Sequence, residues 1–100
     1  MLGPSERGHW SGLHGIQSTH EFLEAGRRYR VVREFTDFDG GAHLPGEEWA
    51  FLGASFLPHD DGLSLFVSLD GLQEWHIRLQ WRAEAQGDVL DPLSAHVEPL

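Results

Sequence analysis

"GLSLFVSLDGLQEWHIRLQW", residues 62–81, decides the fold. In its second half, Trp75, Ile77, Leu79 and Trp81 alternate with His76, Arg78, Gln80 and Arg82. A period of two with one apolar and one polar set is the mark of a half-buried antiparallel strand. In the first half, Leu63, Leu65, Val67 and Leu69 share one face and Ser64 and Ser68 the other, while Phe66 breaks the wet face. Asp70-Gly71 lies between the two runs and reads as a turn. A two-residue loop there would set Leu65 against His76, so that every core residue faced a polar one. An odd loop of Leu69, Asp70 and Gly71, with Gly71 left-handed, or an equivalent bulge, sets Leu65 against Trp75.

The same parity argument extends upstream. "EWAFLGASFL", residues 48–57, is a further strand run, followed by Pro58, His59, Asp60, Asp61 and Gly62. Proline ends a strand, aspartates suit turn positions and glycine supplies positive φ. A five-residue connection pairs Leu57 with Leu63 and Ala54 with Phe66. It puts Trp49 and Phe51 in the core and leaves Leu52, Phe56 and Phe66 as an apolar cluster on the opposite face. Such a patch needs a cover. The preferred cover is the chain itself, through a helix at 19–25 or barrel closure; a homodimer or a foreign partner are the alternatives.

Further out, Ser18 with Glu21 three residues on resembles a capping box and Gly26 a helix stop, which predicts a short N-terminal helix. A strand is expected at about 28–36, a long polar excursion after it, and a short terminal strand in the last fourteen residues. Residues 1–17, with five glycines and prolines together and no period, read as a flexible arm; residues 18–100 form one β-rich domain. One strand, a long loop and consecutive hairpins predict a small SH3-like barrel, or else a strongly curled antiparallel sheet.

Composition narrows the function. There is no cysteine, so disulfides and thiolate metal sites are excluded. No apolar run reaches the length of a membrane helix, and no signal peptide pattern is present, so a cytoplasmic setting is expected. Seven arginines, no lysine and sixteen acidic residues give a net charge of −9, which disfavours nucleic acid. "RRYRVVR", residues 27–33, therefore reads as a solvated strand face rather than a phosphate groove.

Catalytic and metal motifs are incomplete. "DFDGGAHLPGEE" places Asp37, Asp39 and Glu48 as in a calcium loop, but Gly41 and Ala42 stand where a ligand and the invariant glycine belong. "GASFL" lacks the second glycine of a nucleophile elbow, and "HEFLE" lacks the second histidine of a zinc helix. His59, Asp60 and Asp61, even with His43, fall short of a full ligand set, so no metal and no cofactor are expected.

The series Gly26-x-x-Tyr29-x-Val31, Phe35-x-Asp37-x-Asp39 and Gly46-Glu47-x-Trp49-x-Phe51-x-Gly53-x-x-Phe56-x-Pro58-x-Asp60-Asp61-Gly62-Leu63-x-Leu65-Phe66 resembles a family of small bacterial domains of unknown function. The likeness runs over about residues 26–86 and implies structure, not an activity. The expectation is a non-catalytic protein-binding or adaptor module, with Phe38, Trp49, Leu52, Phe56 and Phe66 as interface candidates. An immunity or inhibitor protein against a basic partner is the alternative, and a metal-dependent protein using His43, His59 and Asp61 the less favoured one.

Overall fold

A computed structural model describes residues 1–57, 62–80 and 93–100. Ten strands are described: β1 (Leu2–Glu6), β2 (Thr19–His20), β3 (Leu23–Glu24), β4 (Arg28–Val31), β5 (Phe35–Thr36), β6 (Ala42–His43), β7 (Glu48–Leu57), β8 (Gly62–Ser68), β9 (Gln73–Gln80) and β10 (Val97–Pro99). Six of them form one antiparallel sheet in the order β1-β9-β8-β7-β4-β10. β2–β3 and β5–β6 are separate two-stranded ribbons. The sheet is open: among the described residues β1 and β10 are edges that do not pair with each other, so the expected SH3-like closure is not found.

The β8–β9 hairpin has the parity that its alternation demands. Leu63 faces Leu79, Leu65 faces Ile77 and Val67 faces Trp75. Leu65 thus lies two residues from the expected Trp75, a shift that keeps every side chain on its face. Side chains of the turn set this register. Ser68 Oγ accepts from Gly71 N–H at 2.8 Å and donates to Gln73 O at 2.6 Å. Asp70 Oδ1 accepts from Leu72 and Gln73 N–H at 2.8 and 2.9 Å. Gly71 has φ +80°, the left-handed position expected of it.

The β7–β8 register differs from expectation by one residue. Leu57 faces Gly62 rather than Leu63, Phe56 faces Leu63, and Ala54 faces Leu65. The pairing then shifts at Leu52, and Phe51 faces Val67. A bulge adds one residue to one strand and so reverses its facing midway. Trp49 and Phe51 before the bulge and Ala54 after it are therefore all buried in one core. Gly53 instead stands opposite Phe66 on the outer face. The connection Pro58–Asp61 itself lies outside the described residues, as do Trp81 and Arg82.

No α-helix is found among the described residues, which corrects the helix expected at 18–26. Thr19–His20 pairs with Leu23–Glu24, and Glu21 turns the ribbon at φ 53°. A seven-residue helix has little stability of its own, whereas the part of β7 beyond Ala50, past its pairing with β4, offers backbone partners. Gln17 exchanges two hydrogen bonds with Ala54, at 2.8 and 2.9 Å, and Gly26 N–H donates to Phe51 O at 2.8 Å. Leu23 is thereby delivered to the core beside Tyr29, whose hydroxyl accepts from Glu24 N–H at 2.7 Å.

Residues 1–17 run along the sheet. β1 pairs with β9, Leu2 facing His76 and Glu6 facing Gln73. The chain then crosses the outer face of β9 and β8 to reach β7 at Gln17. Trp10 stacks on Phe66 at 6.4 Å between centroids and lies 5.4 Å from His76. A Cβ on Gly53 would stand 2.6 Å from Ile16 Cγ2, so only glycine leaves room for this crossing.

Candidate functional site

The long excursion after β4 is organised by one carboxylate. Asp37 Oδ1 accepts from Asp39 and Gly41 N–H at 3.0 and 2.8 Å, which folds the β5–β6 turn around it. Asp37 Oδ2 accepts from the Met1 ammonium at 2.5 Å and meets His43 Nε2 at 2.7 Å. On its other side, His43 Nδ1 lies 2.7 Å from Glu47 Oε2, which also accepts from Trp49 Nε1 at 3.1 Å. Carboxylates only accept, so both ring nitrogens of His43 carry protons and the ring is an imidazolium. Phe35 stacks on it at 4.6 Å and 12°, presenting its π face to the cation. The result is a chain of alternating charge: Met1 ammonium, Asp37, His43, Glu47.

Asp37 and His43 are both buried. Burial pushes the Asp37 pKa up, but the hydrogen bonds from the Met1 ammonium, His43 and Gly41 outweigh it and hold the group below the usual carboxylate range. Burial likewise pushes His43 down, and the hydrogen bonds to Glu47 and Asp37 overcome it, leaving the pKa raised. A histidine whose folded pKa exceeds its unfolded value of about 6.5 stabilises the fold fully below that pH. The contribution is lost as pH rises through the folded value. Denaturant titrations at stepped pH are expected to show stability falling on the alkaline side, with a limb shallower by one proton in His43→Gln. Persistence of the imidazolium signal of His43 above the unfolded pKa of about 6.5 in NMR checks the same assignment.

This arrangement resembles the orienting half of an acid–base triad, but both ring nitrogens of His43 already face carboxylates. Both His43 nitrogens are occupied, so the ring has no lone pair for a metal, and among the described residues no group of three or more His, Asp or Glu side chains is arranged to hold a metal ion. His59 and Asp61 lie outside the described residues. The calcium-loop spacing dissolves in three dimensions. Asp37 organises a turn, Asp39 pairs with Arg78, and Glu48 lies 3.9 Å from Arg28.

The five interface candidates separate. Trp49 and Phe66 are buried, at 0% and 3% exposure. Trp49 faces the core because the ladder to β4 sets it opposite Tyr29; Phe66 is covered by Trp10. Leu52 is half-buried at the bulge. Phe56 pairs with Leu63, its side chain lying outside the described set. Phe38 is 44% exposed, with the Arg78 guanidinium 5.3 Å above its ring. Sequence reasoning singled out Asp37 and His43 separately and missed their union with Glu47. The one signal was an acidic and histidine-bearing excursion between two strands.

No helix among the described residues is long and apolar enough to cross a membrane. The fold is similar to that of an integron cassette protein from the mobile metagenome of Vibrio cholerae. The two are 36% identical, with a TM-score of 0.76, over 85% of this chain and 93% of the other. No curated protein matches. The model of the domain of unknown function DUF3601 matches residues 16–98, and the chain belongs to that family.

Proposed function

We propose that this chain is a non-catalytic protein-binding module whose acidic surface selects a basic partner. The observation that carries the reading is the disposition of its few cations. Arg27 pairs with Glu24 at 3.3 Å, Arg28 with Glu48 at 3.9 Å, Arg30 with Glu98 at 2.7 Å, and Arg78 with Asp39. Such exposed pairs add little stability, but they neutralise these four arginines locally. The excess anions of a chain with net charge −9 are left to set the long-range field. A field of one sign accelerates encounter with the opposite sign and rejects like-charged competitors. The same observation supports the narrower alternative of an immunity or inhibitor protein.

Co-expression with the products of adjacent reading frames, followed by calorimetry of the recovered pair, tests this. The expected result is a basic partner bound with an association rate that falls at least tenfold from low to high salt. Loss of a partner's catalytic activity on binding would select the inhibitor form. An acidic partner, or an association rate indifferent to salt, would overturn the proposal. Calorimetric titration with zinc and calcium separates the metal-dependent alternative.

A further inference from the structure

We propose that residues 7–17 form a strap that opens from the outer face of the sheet as a unit, and that protonation of His76 beneath Trp10 releases it. The proposal does not depend on the identity of any partner. The strap is tied at both ends to strands and crosses between them without joining the sheet ladder. Glu74 accepts from Trp10 N–H at 2.8 Å and from Ser11 N–H at 3.3 Å. Trp10 covers Phe66 and His76, and Ile16 covers Gly53. Gly8 and Gly15, at φ +91° and +87°, lie on either side of Trp10 within the strap and let the backbone turn there free of Cβ strain. The family match begins at residue 16, so residues 7–15 precede the shared domain and cover a face of it. Segments with few buried contacts open at lower cost than the fold as a whole.

His76 is the poorly accommodated group under the strap. Its ring lies 4.8 Å from Phe66 and 5.4 Å from Trp10, and its Nε2 is buried without a hydrogen-bond partner. A proton there would add a charge to an apolar sandwich with no acceptor to receive it. The charged and titratable groups around it come from four elements. Glu74 and Arg78 flank it on β9, Asp39 approaches from the β5–β6 turn, the Met1 ammonium precedes β1, and His9 in the strap stands edge-on to Trp10 at 4.9 Å. Burial, then Arg78, push the His76 pKa down to about 4, and the Met1 ammonium adds to this against the pull of Asp39. The anchor does not release first. Burial raises Glu74, but the Trp10 and Ser11 hydrogen bonds outweigh it and keep its carboxylate ionised below the usual range. With the strap open, His76 would titrate near 6.5. Lowering the pH from 7 to 5 then multiplies the open population about 20-fold.

Peptide-resolved hydrogen exchange, corrected for the intrinsic pH dependence, reads this directly. Protection of residues 10–17 is expected to fall about 20-fold between pH 7 and pH 5 while that of β7 and β8 holds. The effect should vanish in His76→Gln and persist in His9→Gln. Equal loss over the strap and β7–β8, or a pH effect that survives His76→Gln, would overturn the proposal. Should His76→Gln fail to fold, Trp10→Ala decides by NMR titration of His76. A pKa returning toward 6.5 supports the strap as the cause of burial; one that stays near 4 refutes it.

Discussion

Phe66→Ser is expected to lower the unfolding free energy of the monomer by about 3–5 kcal/mol, the cost of a large-to-small truncation in a packed interior. Phe66 lies on the outer face of the sheet, where an isolated hairpin would leave it wet. It is nonetheless only 3% exposed, because Trp10 stacks on it from the crossing segment and His76 lies beside it. Serine would lose the transfer free energy of the ring and leave a cavity beneath Trp10. Equilibrium denaturation measures the change as a fall in midpoint at constant slope. Phe66→Leu, which fills more of the space, should cost less. A folded variant of unchanged stability that has lost self-association or partner binding would show that the ring serves an interface instead.

Asp37→Asn is the second large effect, about 3–5 kcal/mol, as for breaking a buried ion pair by removing one partner. The substitution preserves shape, yet it removes the charge that the Met1 ammonium and the His43 imidazolium both require. It also sets an amide donor against groups that can only donate. The cost should lie toward the lower end, because the Met1 end of the pair is 20% exposed and recovers some hydration. Two further readouts identify the mechanism. The pKa of His43 should fall, since one of its two carboxylates has lost its charge. In a double-mutant cycle with His43→Leu the losses should be less than additive, with a coupling of about 1–3 kcal/mol. Additive losses would show that Asp37 acts on the turn alone, through the Asp39 and Gly41 amides. Acid should mimic the substitution. The folded pKa of Asp37 is lowered, so its contribution is present above its unfolded value of about 3.9 and is lost as pH falls through the folded one.

Strand positions in this chain follow from local pattern, and that much was legible from the residues. The alternation of Leu63, Leu65 and Val67, and of Trp75, Ile77 and Leu79, defines β8 and β9 because a pleated strand with one buried face has no other period. Asp70-Gly71 required an odd connection for the same reason, and Gly71 adopts the positive φ foreseen for it.

Pairings that join distant segments were decided only by the tertiary structure. The bulge at Leu52 changes which residues of β7 face the core, and nothing within "FLGAS" marks it. It is fixed by Leu65, Val67 and Phe66 across the ladder. Residues 18–26 carry local helix signals but form a ribbon, because β7 beyond its pairing with β4 offers Gln17 and Gly26 hydrogen bonds that a short isolated helix cannot match. Asp37, His43 and Glu47 become one network when the β5–β6 turn closes and Met1 is brought to it by the pairing of β1 with β9. Trp10 covers Phe66 across 56 positions of chain for the same reason. Local preferences differ by fractions of a kilocalorie per residue, whereas burial of one aromatic ring or satisfaction of one buried charge is worth several times as much. Where the two conflict in this protein, the longer-range term sets the outcome.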